Sequence, residues 1–250
     1  MPSCSLLIPV YNHAVYLEEC IESALDQVVP FDEVIIVDDC SPDSAVGVIL
    51  EKYKGRNGLE IRRNAKNIGI SATQNYLVSL AKSEFVAFLD CDDYLNREAC
   101  AGFQAYYNIA PKDYFFSNRK EVLAGHGEVE IDVSKQIFEY DTLTQCLLEH
   151  MVASHFKVIR KSCFDAIGGF PLDADGVQDW VVAVRIINDS NACHMAEYLY
   201  SHRIHAGQTT AQDQVRYRYV VNAERERLLA DRGLKSQRDR SAVKKLASFI

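Results

Sequence analysis

Three short stretches in the first 90 residues are almost wholly apolar. They are Ser5–Val10, Glu33–Val37 and Phe85–Leu89, and the second is rich in β-branched residues. Continuous apolar runs of this length are typical of strands buried on both faces of a parallel sheet. We therefore predict three central strands here, with a shorter strand at Leu59–Arg62.

Apolar residues at helical spacing separate these strands. Between the first two strands they recur at i, i+3 and i+4 from Val15 to Val28, and Pro30 follows. Further helices are predicted up to about Tyr53 and over Ser71–Ala81. This βαβαβ order predicts an open, mostly parallel α/β sheet with right-handed crossovers, in which ligands bind beyond the carboxyl ends of the strands.

The second half of the chain has a less regular pattern. Its apolar spacing predicts strands at Tyr114–Ser117 and Met195–Ile204, and Val158–Arg160 leads into a helix ended by Gly168–Gly169. The other predicted helices are Asp141–His150, one that begins at Gln178, and Asp213–Leu229.

Composition narrows the class of protein. The chain has 250 residues, of which 48% are hydrophobic and 25% charged, with a formal net charge of −8. A negative charge disfavours nucleic-acid binding, which requires positive potential along the phosphates. No apolar run approaches the ~20 residues of a membrane-spanning helix. The first residues lack a signal peptide's basic region, and the eight scattered cysteines form no CxxC pair, so we expect a cytoplasmic protein with reduced thiols.

The charge is unevenly distributed along the chain. Residues 214–250 hold ten Lys or Arg and four Asp or Glu, a net of +6, whereas residues 1–213 have a net of −14. On charge alone, the basic segment is either a solvated helix face or an interaction surface.

Acidic residues follow two of the predicted strands. Asp90-Cys91-Asp92-Asp93 comes directly after Phe85–Leu89, and such a cluster is stabilised either by a divalent cation or by a helix N-terminus. Asp38-Asp39 ends the neighbouring strand, where carboxylates either accept hydrogen bonds from a nucleoside or cap a turn. The loop at residues 64–75 offers backbone N–H groups to an anion, but it has neither Walker nor Rossmann spacing.

The order of these segments resembles that of glycosyltransferase family 2. The segments that carry the resemblance are Ile8–Asn12, Val37–Ser41, Asn67–Asn75 and Phe88–Asp93. Later in the chain, Arg160–Ser162 with Ile167–Phe170 resembles the family's acceptor-side loop, Gln178–Trp180 its E-D-W-type motif, and Tyr200–His205 its terminal Y-R-x-H segment. Each motif is weak alone, and their joint order over about residues 4–210 carries the resemblance.

The resemblance implies a GT-A fold: a Rossmann-like, mostly parallel α/β sheet flanked by helices, here with a helical C-terminal extension. It implies an inverting glycosyltransferase that moves a sugar from a nucleotide-sugar, such as a UDP-hexose or UDP-N-acetylhexosamine, to a hydroxyl of a saccharide acceptor. The usual setting of the family is cell-envelope polysaccharide synthesis. The expected cofactor is Mn²⁺ or Mg²⁺.

The resemblance also implies roles for individual residues. Asp179 is expected to be the catalytic base, and Asp92, with Asp90 and His205, is expected to hold the cation. The residues expected to bind the nucleotide-sugar are Pro9, Tyr11, Asn12, Asp38, Asp39, Asn67, Gly69, Asn75, Asp90 and Cys91.

One position departs from the family pattern. Gln178 stands where the family usually has an acidic residue, which puts the acceptor geometry in question. Two other functions stay open: a catalytically silent sugar-nucleotide-binding module, and a haloacid-dehalogenase-like phosphatase, whose nucleophile motif is also D-x-D. A phosphatase would not explain Asp38-Asp39 or Gln178-Asp179.

We expect a GT-A domain at residues 1–212, divided into a nucleotide-binding half at 1–95 and an acceptor-side half at 96–212. A basic helical extension at 213–250 follows. Because the resemblance implies a lipid-linked saccharide as acceptor, we predict that the basic extension contacts an anionic membrane surface peripherally. The residues predicted to do so are Arg216, Arg218, Arg225, Arg227, Lys244 and Lys245.

Overall fold

The computed structural model describes residues 1–123, 127–205, 207 and 214–232 of the chain. Its strands are β1 (Cys4–Val10), β2 (Glu33–Asp38), β3 (Leu59–Arg63), β4 (Phe85–Phe88), β5 (Tyr94–Leu95), β6 (Tyr114–Leu123), β7 (Gly127–Ile131), β8 (Val158–Arg160) and β9 (Ala192–Ile204). Its helices are α1 (Ala14–Leu25), α2 (Ser44–Tyr53), α3 (Ile70–Leu80), α4 (Ala99–Ile109), α5 (Ser134–Ile137), α6 (Leu143–Glu149), α7 (Lys161–Ile167), α8 (Gln178–Ile186) and α9 (Gln214–Arg232). Within the described ranges, none of the helices combines the length and apolarity needed to cross a bilayer.

The strands form one sheet in the order β3-β2-β1-β4-β8-β6-β9-β5, with β7 paired to β6. The first four strands are parallel, as the βαβαβ pattern predicts. Beyond β4 the sheet is mixed, because β8 is antiparallel to both β4 and β6, whereas β9 is parallel to β6. The predicted α/β fold is confirmed, and the part of the sheet that is parallel throughout is formed by β1 to β4.

Helices cover both faces of the sheet, and each face has its own apolar core. Side chains alternate along a strand, so Leu7 of β1 packs in one core with α3 and α8, while Leu6 and Ile8 pack in the other with α1 and α2. The continuous apolar runs of β1 and β2 are thus explained by burial on both sides.

Proline is rare in central strands, yet Pro9 lies in β1, which has neighbours on both sides. The β1–β4 ladder ends at the pair Leu7–Phe88, with the Leu89 amide donating to the Leu7 carbonyl at 3.1 Å. Pro9 lies two residues further on, so the N–H it lacks would point toward β4 beyond the end of that ladder.

Several elements differ from the sequence prediction. Helix α1 ends at Leu25, before Val28 and Pro30, and the Val28 amide instead donates to the Arg97 carbonyl at 2.9 Å. Strands β6 and β9 are longer than predicted because they pair with each other from Tyr114–Ala192 to Leu123–Ile204. The elements α4, α5, β5 and β7 are not foreseen by the periodicity.

Helix α9 is the predicted C-terminal helix, and it packs on α8. Glu224 accepts hydrogen bonds from Arg185 Nε at 2.7 Å and Nη2 at 3.1 Å. Two of the predicted membrane-contacting residues already have partners in the protein, since Arg225 Nε donates to the Leu148 carbonyl at 2.7 Å and Arg227 pairs with Glu224 at 2.7 Å. The side chains of Arg216 and Arg218, and the whole of Lys244 and Lys245, lie outside the described residues.

Candidate active site

The candidate site lies at the carboxyl ends of β1, β2 and β4, which are adjacent in the sheet. Parallel register brings Val10 of β1 opposite Asp38 of β2, and Leu7 opposite Phe88 of β4. The acidic segments after β2 and β4 therefore flank the loop that follows β1, at the edge where sheets of this type bind ligands.

Asp38 is a fully buried carboxylate with structural partners. One of its oxygens accepts from the Ser41 amide at 2.8 Å, and the other forms an ion pair with Arg63 of β3. Arg63 also donates to the Ser41 carbonyl at 3.0 Å. These contacts fix the turn after β2, and they occupy the side chain predicted to meet the nucleotide-sugar.

Asp39 organises the loop that precedes α3. Its carboxylate accepts from the backbone amides of Ile68 at 3.0 Å and Gly69 at 2.9 Å, and from Asn64 Nδ2 at 2.7 Å. Asn67 is exposed, and its Oδ1 accepts from the Gly69 amide at 3.1 Å. The predicted residues Asp39, Asn67 and Gly69 thus form one hydrogen-bonded unit.

Asn75 connects α3 to the loop that ends α7. Its Nδ2 donates to the Phe170 carbonyl at 2.9 Å, and its Oδ1 accepts from the Phe170 amide at 2.8 Å. Gly169 has φ +81°, and a Cβ at this position would lie 2.5 Å from Asn75 Oδ1. Both side-chain amide groups of Asn75 are therefore used to hold the glycine turn.

The loop after β1 is exposed at its centre. Tyr11 is 43% exposed, while Asn12 has φ +63° and its amide donates to Ser41 Oγ at 2.9 Å. The backbone of Tyr11 hydrogen-bonds to the buried Cys91 thiol, whose pKa is raised well above its usual value by burial. Through Cys91, the loop after β1 is joined to the acidic turn after β4.

The acidic turn itself is held by β9. Asp93 is buried, and its carboxylate accepts from Tyr200 Oη at 2.7 Å and from the Arg203 amide at 2.8 Å. Tyr200 Oη also accepts from the Asp90 amide at 3.2 Å. Burial raises the pKa of Asp93, with the carboxylates of Asp90 and Asp92 adding to the effect.

Arg203 fixes the Asp92 backbone from the other side. Its Nη1 donates to the Asp92 carbonyl at 2.6 Å, and its Nη2 to Glu19 of α1 at 2.5 Å. Its guanidinium group lies over the rings of Tyr16 and Tyr94, at 5.1 Å and 4.6 Å from their centroids. Because the planar guanidinium group donates two hydrogen bonds and also stacks on two aromatic rings, it restricts the conformation of the acidic turn.

Three side chains in this region fit a divalent cation. Ligand atoms of His13, Asp92 and His205 all lie within 4.8 Å of one another, and His205 Nε2 is 3.0 Å from Asp92 Oδ2. Carboxylate oxygens and neutral imidazoles are suitable donors for such an ion. Asp92 and His205 are two of the predicted metal residues; the third, Asp90, is not part of this group, whose third member is His13.

Asp179 lies in the first turn of α8, next to a buried lysine. Lys157 Nζ is 3.0 Å from Asp179 Oδ1, and the side chains are 3% and 18% exposed respectively. Lys157 Nζ also lies 5.2 Å from the ring centroid of Phe88, the last residue of β4. The lysine therefore links the predicted base to the strand that leads into the acidic turn.

The carboxyl group of Asp90 interacts with the charges of Asp92, Lys157 and Asp179. Burial raises the pKa of its carboxyl to about 7, the carboxylates of Asp179 and Asp92 add to the increase, and the Lys157 ammonium opposes it. A carboxylate cluster with strongly displaced pKa values is a common property of functional sites.

Gln178 precedes Asp179 and is buried. Its Oε1 accepts a hydrogen bond from the Gly176 backbone amide at 2.6 Å, so the Gln178 side chain holds the loop that leads into α8. At the position where the family usually has an acidic residue, this chain uses a neutral acceptor with a backbone partner.

Three residues of the site are missed by the sequence patterns. His13, Lys157 and Arg203 belong to no local motif of charged residues, and their partners Asp92, Asp179 and Asp93 are distant in sequence. Arg203 lies inside the Tyr200–His205 segment that carries part of the resemblance, which is the one signal that points to it.

Comparison with curated proteins gives relatives of much greater length. The chondroitin synthase of Pasteurella multocida (strain Pm70) is 25% identical over 214 residues, covering 85% of this chain and 22% of the synthase. The poly(ribitol-phosphate) beta-glucosyltransferase of Bacillus spizizenii is 38% identical over 112 residues, covering 44% of this chain and 17% of that protein. The chain thus spans about a fifth of the length of these relatives.

Solved structures share the fold. The crystal structure of Staphylococcus aureus TarS 1–349 in complex with UDP has a TM-score of 0.66 and 25% identity, covering 81% of this chain and 60% of that chain. The same TarS fragment in complex with UDP-GlcNAc has a TM-score of 0.72 and 23% identity, covering 89% and 66%. The expected GT-A architecture is confirmed by this likeness.

The profile of the family described as "Glycosyl transferase family 2" matches residues 5–168. This range includes β1, β2 and β4 and the acidic turn that follows them, and it covers more than half of the 250 residues. The chain belongs to glycosyl transferase family 2.

Proposed function

We propose that this chain transfers a sugar from a UDP-sugar to a hydroxyl of a saccharide acceptor, by single displacement with inversion at the anomeric carbon. The observation that carries the proposal is that Asp179 lies close to the acidic turn after β4, at one edge of the sheet. Lys157 interacts with both, since its Nζ is 3.0 Å from Asp179 Oδ1 and its charge opposes the increase in the pKa of Asp90.

In the proposed reaction, the acceptor hydroxyl gives its proton to the Asp179 carboxylate while its oxygen bonds to the anomeric carbon. The bond between that carbon and the UDP oxygen breaks, and both of its electrons leave with UDP. No enzyme nucleophile is needed, because one displacement inverts the centre. A carboxylate within hydrogen-bond reach of the hydroxyl is sufficient for the proton transfer.

A divalent cation, when bound, supplies charge neutralisation for the departing diphosphate. Asp92 and His205 would hold it, with His13 nearby and Asp90 predicted as a further ligand. Arg203 keeps the Asp92 backbone in place, and Tyr200 keeps Asp93 in place. These two residues therefore preorganise the acidic turn before any ligand arrives.

We assign the nucleotide to the edge formed by Pro9, Tyr11, Asn12 and Asp39, as the family resemblance predicts. The TarS complex with UDP supports uracil as the base of the donor nucleotide. In this chain Asp39 is oriented by the amides of Ile68 and Gly69, so the loop before α3 and the carboxylate form a single unit for the ligand to meet.

The acceptor is proposed to be a saccharide of a cell-envelope polysaccharide. The relatives support this class, since their names include a chondroitin synthase and a poly(ribitol-phosphate) beta-glucosyltransferase. The family match favours a transferase over the phosphatase that the D-x-D motif left open.

A donor panel tests the proposal. The protein is incubated with UDP-sugars and Mn²⁺, and UDP release is followed with and without acceptor saccharides. We expect acceptor-dependent UDP release that Asp179→Asn reduces by about 100-fold or more, with UDP affinity retained. Asp165→Asn, an exposed carboxylate on α7, is the matched control and keeps full turnover.

Two outcomes contradict the proposal. UDP-sugar binding without turnover on any acceptor would indicate a silent binding module, and phosphate release that does not depend on the sugar would indicate a phosphatase.

We also propose that a lipid-linked form of the acceptor is used and that the basic segment 213–250 contacts an anionic membrane from the cytoplasmic side. Its net charge of +6 over residues 214–250 supports this, at up to about 1 kcal/mol per basic residue near the surface. Sedimentation with vesicles containing phosphatidylglycerol is expected to fall with salt and on deletion after Leu234. Binding that salt does not affect, or no binding, would contradict it.

A further inference from the structure

His13 stands at the start of α1 in an unusual backbone conformation. It has φ +58° and follows Asn12 at φ +63°, so two successive residues other than glycine are left-handed. The left-handed conformation is unfavourable for residues with a Cβ, and such strain persists only where the surroundings enforce it. The Asn12 amide bonds to Ser41 Oγ at 2.9 Å, which holds the turn in this shape.

The turn directs the His13 ring toward His205. The two ring centroids are 5.2 Å apart at 69°, and His13 makes no side-chain cap to its own helix. Tyr16 packs on the other imidazole with its centroid 4.9 Å from that of His205. Both imidazoles are thus oriented by protein contacts around the Asp92 carboxylate.

The spacing of the three donors is close to that of ligands around one ion. Two ligands about 2.1 Å from a cation lie between about 3 and 4.2 Å apart, depending on the angle between them. The donors of His13, Asp92 and His205 lie within 4.8 Å of one another, and the Asp92–His205 pair is already at 3.0 Å. Side-chain movements of less than an ångström would bring all three donor atoms to coordination distance from one ion.

The donor types also select the ion. Mg²⁺ prefers oxygen ligands and retains most of its waters, whereas imidazole nitrogen favours transition metals. A single carboxylate would need phosphate oxygens from a nucleotide to hold a cation well. Two imidazoles and a carboxylate supply three protein ligands before any nucleotide binds.

We propose that His13 is the third protein ligand of this site, so that the protein binds Mn²⁺ without a nucleotide and in preference to Mg²⁺. This rests on the proposed function only in so far as the cation assists sugar transfer. Binding of the metal itself is measured without donor, acceptor or turnover.

The test uses the full chain, stripped with EDTA and titrated with MnCl₂ alone. Calorimetry gives the affinity, and pulsed electron paramagnetic resonance counts the nitrogens coupled to Mn²⁺. We expect two coupled imidazoles in the native protein and one in His13→Gly, together with a loss of affinity of about tenfold or more. Glycine is chosen because it adopts the positive φ without strain.

The control is His150→Ala, which removes a histidine that bonds to Tyr140 Oη at 2.7 Å on another part of the protein. It is expected to leave Mn²⁺ affinity and the nitrogen count unchanged. Thermal unfolding of His13→Gly in EDTA is used to check that the variant is folded. MgCl₂ is then added to the Mn²⁺ complex, and a tenfold excess is expected to displace little of the manganese.

Three results would overturn the inference: no Mn²⁺ binding without nucleotide, unchanged affinity and nitrogen count in His13→Gly, or displacement by an equal concentration of Mg²⁺. If Mn²⁺ binds as expected but the donor panel gives no transfer, the proposed function fails and the metal site stands.

Discussion

Lys157 shows how much one buried residue determines in this site. Its ammonium group lies between Asp179 and the end of β4 and is almost completely buried. Removing one partner of a buried ion pair leaves an uncompensated charge, whereas removing both is far less harmful.

We therefore expect Lys157→Met to lower the free energy of unfolding by about 3–5 kcal/mol, the cost of an unpaired buried charge. Urea denaturation measures it. The double variant Lys157→Met with Asp179→Asn is expected to recover part of this loss, because the unpaired carboxylate is gone. Equal stability of Lys157→Met and the double variant would contradict this expectation.

Two adjacent glycines provide a matched pair of substitutions. Gly168 and Gly169 have φ +77° and +81°, but only Gly169 has a neighbour within 4 Å of a new Cβ, namely Asn75 at 2.5 Å. We expect Gly168→Ala to cost about 1 kcal/mol from the left-handed backbone alone. Gly169→Ala should cost more, since Asn75 must also give up its bonds to Phe170.

Chemical denaturation of the two alanine variants checks this difference. Equal destabilisation would mean that Asn75 moves aside freely, and its hydrogen bonds would then contribute little.

At the residue scale, the sequence predicts side chains whose position follows from a strand end. Asp39 and Asp92 are of this kind, because the carboxyl ends of parallel strands meet at one edge. Lys157 and His13 are not, since no local pattern marks the lysine before β8 as buried or the histidine before α1 as the metal ligand proposed above. Their roles depend on packing between elements that are far apart in the chain.

Among the elements, the contact between α8 and α9 depends on the charge of one side chain. Glu224 is 8% exposed. Burial alone would raise its pKa, but hydrogen bonds from Arg185 and Arg227 lower it from 4.5 to about 2. A carboxyl group with a depressed pKa in the folded state stabilises the protein above its unfolded pKa, and this stability is lost as the pH falls toward the folded value.

Glu224→Gln should therefore be less stable than the native protein at pH 7, by up to about 3 kcal/mol. The difference should shrink between pH 4.5 and 2, where the native carboxyl becomes protonated. Urea unfolding across this pH range measures it. A difference that stays constant with pH would exclude the charge of Glu224 as its cause.

Elements with a strong pattern of their own are predicted well, and those that depend on partners are not. Strands β1, β2 and β4 are recognised because burial on both faces makes them continuously apolar. Strand β5 has two residues and exists only through its pairing with β9. In α4, a Cβ at Gly102 would lie 3.0 Å from Leu199 of β9. The sequence of this helix therefore depends on close packing against β9 and not only on the spacing of its apolar residues.

Across the whole molecule, ligand binding should appear as stabilisation. A ligand at 100 times its Kd stabilises by about 2.7 kcal/mol, or roughly 5–11 °C in Tm for a chain of this size. We expect UDP with Mn²⁺ to raise the Tm more than either alone, and Asp92→Asn to lose the Mn²⁺-dependent part. Asp165→Asn is again the control, and an unchanged metal response in Asp92→Asn would remove Asp92 from the ligand set.

Strand β9 places residues from late in the chain beside the acidic turn that follows β4. The family profile ends at residue 168, whereas Asp179, Arg203 and His205 come later in the chain. When the residues of β1 to β4 have been synthesised, the Arg203 and His205 partners of Asp92 are still to come. The proposed cation-binding group is therefore completed only after residue 205 has been synthesised, and a protease cut between β8 and β9 would break the covalent link between the acidic turn and the β9 residues that hold it.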